Sequence, residues 1–225
     1  GKLTGGGTVE KLTVGANVSA FSDVVTNALN ITELDLAAGY TAVYDAKASA
    51  RIKKLAGGGT LSVQTNADLG SLTVSSSGLN IGAQNVTGAN MAFEGTAKLY
   101  VTVKDADAFG TLTAADLTVA DGAELIFSVE SNSWEKGETK ELAIINAGFF
   151  TDNFTVSDSV RYKIEKTSTA GTYAVTYYYS AADIAERGGA NESMQNAALA
   201  WDNVPFTSAS TVQGRVSSVL NTLSN

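Results

Sequence analysis

The feature that most constrains this chain is a recurrence of short stretches built around two apolar residues spaced two apart. Leu12/Val14, Leu34/Leu36, Leu72/Val74 and Leu117/Val119 form one set. Leu61/Val63, Ile81, Leu99/Val101/Val103 and Leu125/Phe127/Val129 lie between them. Alternation with period two puts one side of a segment in a core and the other in water, the pattern of half-buried strands. Aligning one strand per unit at Leu12, Leu34, Leu55, Leu72, Met91 and Leu117 gives steps of 22, 21, 17, 19 and 26 residues.

A unit of about twenty residues with two or three short strands cannot bury its own apolar side and must stack on its neighbours. The expected fold is all-β: a right-handed parallel β-helix, or solenoid, with a C-terminal aromatic hairpin cap and a short α-helical tail. At about 4.8 Å per coil, the strand spacing, six units make a rod on the order of 30 Å long. A β-sandwich or up-and-down barrel uses similar strands and turns. Two features favour the solenoid. The chain has a single Pro, as expected where interior N–H groups donate to the next coil. Gly5-Gly6-Gly7-Thr8-Val9 and Gly57-Gly58-Gly59-Thr60-Leu61 are near copies, and Gly15, Gly39 and Gly122 each follow a strand, where a corner needs glycine's conformational range.

The chain divides into β-helix coils at 1–130, a capping region at 131–180 and a helical tail at 181–225. Aromatics gather from Phe127 onward: Trp134, Phe149, Phe150, Phe154, Tyr162, Tyr173, Tyr177, Tyr178 and Tyr179. Val160–Glu165 and Thr172–Tyr177 read as a hairpin with Tyr162 and Ile164 inward. An aromatic end of this kind covers an open solenoid edge and resists fraying. In the tail, Ser180–Asp183 and Ser210–Gln213 resemble capping boxes, and Gly188-Gly189 and Pro205 are stops. Met194, Ala197, Ala198 and Trp201 share one helical side, as do Val212, Val216, Val219, Leu220 and Leu223.

Composition limits the chemistry. Among 225 residues there is no His and no Cys, which removes Ser-His-Asp and Cys-His nucleophiles, disulfides and structural zinc sites within the chain. The formal charge of −8 argues against nucleic acid or an anionic membrane as partner. No stretch approaches the length of a membrane-spanning helix, and Gly1–Glu10 lacks the pattern of a signal peptide. The Gly-Lys start is expected to follow a cut.

Glycan-active β-helices work with clustered carboxylates and a cation. The candidate acids are Asp105/Asp107, Asp116/Asp121 and Glu135/Glu138/Glu141; Arg51, Arg161, Arg187 and Arg215 lie far from them in sequence. Asp105 and Asp107 also suit a turn. Asp turns are candidates for calcium, but the Gly- and Asp-rich nonapeptide of calcium-binding β-rolls is absent. The glycine runs lack the Lys-Ser/Thr of a phosphate loop. Asn-x-Ser/Thr triplets at Asn17, Asn30, Asn85, Asn153 and Asn191 occur at about the frequency of chance. The sequence therefore assigns no catalytic, cofactor-binding or metal-ligating residue.

Three pieces resemble the C-terminal stretch of an autotransporter (type V secreted) passenger. Leu117–Val129 is similar to the family's last β-helix repeats. Gly137–Asn146, with Phe154, Tyr162 and Tyr173–Thr176, is similar to its autochaperone region. Asn191 onward, with Ala197-Ala198-Leu199 and Leu220/Leu223, resembles the segment before the membrane barrel. The resemblance implies a passenger that folds outside a Gram-negative outer membrane, attached to a downstream barrel that this chain does not contain. With no site residue assigned, the residues themselves lead to the expectation of no enzymatic activity and no cofactor. The outward positions of the coils carry Thr, Ser and Asn with few charges, a polar wall whose expected partners are a host or cell-surface glycan or protein, or the same wall on another cell. The alternatives are a pectin-lyase-like polysaccharide enzyme and a phage-type receptor-binding protein.

Overall fold

The structure, a computed structural model, describes residues 2–25, 29–130, 134, 135, 137–159 and 161–178, together with Ser193, Met194 and Asn196. The expected helical tail lies otherwise outside the described residues; those last three are in helical conformation. In chain order the strands are β1 (Thr8–Val14), β2 (Asn30–Leu36), β3 (Thr41–Tyr44), β4 (Arg51–Ala56), β5 (Thr60–Val63) and β6 (Ala67–Asp68). Next come β7 (Leu72–Ser75), β8 (Gly78–Gly82), β9 (Asn85–Glu94), β10 (Lys98–Asp105), β11 (Ala108–Phe109) and β12 (Thr111–Val119). The last are β13 (Glu124–Val129), β14 (Thr139–Ala143), β15 (Ile145–Phe150), β16 (Thr155–Val156), β17 (Tyr162–Lys166) and β18 (Thr172–Tyr177).

The chain is a parallel β-solenoid of about five turns. One sheet runs β1-β2-β4-β7-β9-β12-β15, with β6 alongside β9. The other runs β3-β5-β8-β10-β13-β16, with β11 folded back on β10. The first set of apolar pairs falls in the first sheet and the second set in the other, so each coil contributes to both. Both sheets run on past Glu130 through β15 and β16.

The core is a set of stacked columns. Leu12, Leu34, Leu55, Val74, Phe93 and Val119 stand in register across the first sheet, in steps of 22, 21, 19, 19 and 26 residues. Ala42, Leu61, Leu79, Leu99, Leu125 and Val156 do the same in the second. The structure departs from the sequence alignment at one place. Leu55 pairs with Val74 rather than Leu72. A slip of one residue would turn the strand inside out, but a slip of two keeps the same side chains inward. Alternation alone cannot detect it.

The two glycine triplets also occupy different places. Gly57–Gly59 joins the first sheet to the second, whereas Gly5–Gly7 leads into β1 of the first. A Cβ on Gly59 would stand 2.5 Å from Leu36 Cγ, while nothing lies within 4 Å of one on Gly5, Gly6 or Gly7. The corner that repeats is the one after β2, β4, β7, β9 and β12; Gly15, after β1, is not left-handed. The repeating corner carries left-handed residues at Gly39, Gly58, Ser76, Gly95 and Gly122. Ser76, with φ of 49°, is the only one among the described residues that is not glycine.

The expected hairpin is present and gains a third strand. β17 and β18 pair antiparallel, Tyr162 opposite Tyr177 and Lys166 opposite Tyr173. β14 adds to the other side of β18, with Leu142 opposite Tyr173. Tyr162, Ile164, Tyr173, Val175 and Leu142 are buried, while Lys163 and Glu165 form an exposed ion pair at 2.9 Å. This small sheet is joined to the last coil. The N–H groups of Ile144 and Ile145 donate to Gly171 O, each at 3.0 Å. The Tyr173 ring meets Phe127 of β13 with centroids 5.5 Å apart.

The opposite end differs. Val9 and Leu12 of β1 occupy the columns of Ile31 and Leu34 but are only half-buried, and Leu3 is exposed. The apolar area there is removed from water on one side only, so these residues contribute less than the roughly 1.5–3 kcal/mol of a fully buried aliphatic side chain.

Candidate interaction surface

Outward positions of stacked strands form ladders, because side chains at one register position lie about 4.8 Å apart from coil to coil. On the first sheet one such column reads Lys11, Glu33, Lys54, Thr73, Ala92, Thr118. Its first three rungs are ion-paired. Lys11 Nζ lies 3.1 Å from Glu33 Oε1 and 2.7 Å from Asp35 Oδ2, and Lys54 Nζ lies 3.1 Å from Glu33 Oε2. The two lysines hold the Glu33 carboxyl below the usual glutamate range. Asp35, with Glu33, pushes the Lys11 ammonium up. The expected Ser/Thr/Asn wall thus begins as a charged ladder and becomes uncharged along the same column.

The asparagines join coils. Asn85 N–H donates to Asn66 Oδ1 at 2.9 Å, and Thr111 Oγ1 donates to Asn85 Oδ1 at 2.8 Å, forming a ladder over three turns. Thr41 N–H donates to Asn17 Oδ1 at 2.8 Å, and Asn153 Nδ2 donates to Val119 O at 3.1 Å. Three of the Asn-x-Ser/Thr asparagines therefore use their side chains within the fold. Asn30 is exposed on β2, and Asn191 lies outside the described residues.

The candidate acids do not form one cluster: Asp105, Asp107 and Glu138 come within electrostatic reach of Lys140 on β14, whereas Asp116 lies on β12 and Asp121 at the corner that follows it. Asp105 ends β10 and accepts Trp134 Nε1–H at 3.0 Å and Ala106 N–H at 2.8 Å; Asp107 is exposed in the tight turn to β11. The turn role fits both. Asp116 is exposed on β12 opposite Phe149, and Asp121 lies in the exposed corner with Gly122. Glu138 accepts Glu135 N–H at 3.0 Å and pairs with Lys140, which holds its carboxyl low. Glu141 is exposed on β14. Arg51 is committed to Asp68, with Nη2–Oδ2 at 3.2 Å, and Arg161 Nη1 donates to Tyr177 Oη at 3.0 Å. Arg187 and Arg215 lie outside the described residues. Among the described residues no three acidic side chains gather where they could hold a metal ion.

Two features escaped sequence reasoning. Asp152, nearly buried, accepts the Tyr173 hydroxyl at 2.7 Å and Gly171 N–H at 3.4 Å. Lys166 Nζ lies 3.1 Å from Asp152 Oδ1, a charge contact rather than a directed hydrogen bond, and donates to the Asp152 carbonyl at 2.6 Å. Burial, then the bond to Asp152, pushes the Tyr173 hydroxyl far above the usual tyrosine range. The second is a cleft of about 730 Å³ beside Phe149, where β15 leaves β12. Nothing in the sequence around Asp152 marked it as a tie between cap and coil, since its partners arrive up to 21 residues later.

No family model matches the chain, and neither a curated protein nor a solved structure matches it. No helix among the described residues is long and apolar enough to cross a membrane.

Proposed function

We propose that this chain is a secreted or surface-displayed passenger of the autotransporter type, acting as adhesin or stalk and carrying out no catalysis of its own. In this reading it stands outside a Gram-negative outer membrane, attached to a barrel in the full-length protein. It touches a glycan or protein of another surface, or its own kind on another cell, and it does not bind nucleic acid. The antiparallel aromatic sheet seated at the C-terminal end of the coils promotes their folding.

The observation that carries the reading is the asymmetry of the two ends. At one, Tyr173 of an antiparallel sheet, Trp134 against Tyr162 of that sheet and Phe154 against Phe93 of the coils are all buried, and the sheet is tied to the last coil; at the other, Val9 and Leu12 are half-covered. Parallel pairing of distant strands is slow to start because loop closure precedes its reward. A locally paired antiparallel sheet supplies a template on which coils add by nearest-neighbour contacts.

Refolding kinetics of Tyr173→Ala test the folding role. If the cap nucleates the coils, refolding slows by most of the lost stability; if only unfolding accelerates, the cap forms late and the template role is wrong. Adhesion of the labelled chain to cells tests the surface role. Binding at background leaves only a stalk.

A further inference from the structure

Phe149 is the most exposed large apolar side chain among the described residues, at 80%. A lone exposed aromatic needs no explanation, but this one borders a shaped depression. β12 and β15 pair from Leu112 opposite Ile145 to Leu117 opposite Phe150, and β12 then continues to Val119. The chain after Phe150 turns away, leaving the cleft lined by Asp116, Thr118, Phe149, Thr151 and Asn153. Its margins are held. Asn153 Nδ2 ties the departing segment to Val119 O at 3.1 Å. Gly148 lets β15 lie close on β12, since a Cβ there would stand 2.7 Å from Ala115 O.

The result is one flat apolar ring beside a carboxylate, two hydroxyls and an amide. That combination suits a ligand with a C–H surface on one side and hydroxyl groups around its edge, the chemistry of a pyranose ring. Charge narrows the class. The acidic Asp116 lies in the cleft of a chain with net charge −8, which disfavours uronates and sulfated sugars. A peptide fits less well, because β12 outlasts β15 by only Thr118 and Val119, too few residues for an added strand.

We infer that the Phe149 cleft binds a neutral pyranose unit of a glycan, with the Phe149 ring against the sugar's C–H surface and Asp116 accepting from its hydroxyls. This rests on the adhesin reading and supplies its contact point.

The test is NMR titration of the whole 225-residue chain with cellohexaose and chitohexaose, and with hexagalacturonate as the anionic control. A neutral sugar is expected to shift the Phe149 ring and the Thr118 and Asn153 amides saturably, while hexagalacturonate does not. Phe149→Ala should weaken binding by roughly tenfold and Phe149→Trp should retain it. The high exposure of Phe149 leaves both variants folded. The inference is overturned if neither neutral sugar moves these signals, if Phe149→Ala binds like the parent, or if hexagalacturonate binds equally well. Adhesion to cells without binding of either sugar sinks the cleft and spares the adhesin reading; sugar binding without adhesion does the reverse.

Discussion

The ring of Tyr173, on the central strand of the cap, meets the ring of Phe127, on a solenoid strand, edge to face at an interplanar angle of 65°. The two residues belong to sheets that share no strand, so this contact and the Tyr173 hydroxyl bond to Asp152 couple cap to coil. Tyr173→Phe keeps the ring and removes the bond. Because the acceptor is a nearly buried carboxylate, we expect a loss of about 1.5–3 kcal/mol. Tyr173→Ala removes both, with a loss of about 3–5 kcal/mol. Urea unfolding of the pair separates the terms; no loss in Tyr173→Phe would mean that the hydroxyl contributes nothing, and equal losses would mean that the ring contributes nothing.

Ser76 sits in a left-handed conformation that its stacked neighbours achieve with glycine. Ser76→Gly should raise stability by up to about 1 kcal/mol, the relief of strain less the added freedom of the unfolded chain. Gly95→Ala should be destabilising, since its Cβ would stand 2.6 Å from Ser76 Oγ and its φ is 61°. Removing that hydroxyl relieves the collision but not the strain. The double variant should therefore lose less than the two single effects predict, which a double-mutant cycle by thermal unfolding will read.

Ser77 is the buried polar residue beside this corner, and its Oγ accepts Gly58 N–H at 3.0 Å across one coil. Ser77→Ala should cost about 1–3 kcal/mol by leaving that N–H without its acceptor. Hydrogen exchange at Gly58 should accelerate in the variant and stay slow in the parent.

The Lys11–Glu33–Lys54 ladder predicts a pH and salt signature. The lowered Glu33 carboxyl stabilises the fold at pH above the ordinary glutamate value of 4.5, and this contribution is lost as pH falls through its lower folded value. The raised Lys11 ammonium contributes below the ordinary lysine value of 10.5 and loses that contribution as pH rises past it. Glu33→Gln should flatten part of the acid limb of stability against pH. The groups are solvent-exposed, so the effect should be small and shrink with added salt; an effect unchanged in molar salt would contradict an ionic origin.

The sequence carried the coils because their physics is local and periodic. Leu34/Leu36 and Leu99/Val101/Val103 declare an inward side with no reference to any partner. What it could not carry was anything invariant under a two-residue shift, hence the misplaced partner of Leu55. β14 was equally silent: Thr139–Ala143 has one buried residue, Leu142, and becomes a strand only because β18 offers an edge. For the candidate surface, Asp105 was legible as a turn residue because Asx turns are local. The Phe149 cleft was not, because it exists where two strands distant in sequence part company.

The cap is interleaved with the coil it covers. β14 lies in the chain between the solenoid strands β13 and β15, yet its partner β18 comes after β16. During synthesis from the N-terminus, Thr139 emerges well before Thr176 opposite it, an interval on the order of seconds at ribosomal rates. Through that interval Leu142 and β14 lack the partner strand that covers them, so a chain halted before β18 exposes an unpaired edge prone to pair with a neighbour. The same threading means that no single cut can free the complete solenoid of its cap: ending the chain after β16 strands β14, and ending it after β13 discards β15 and β16 with the cap.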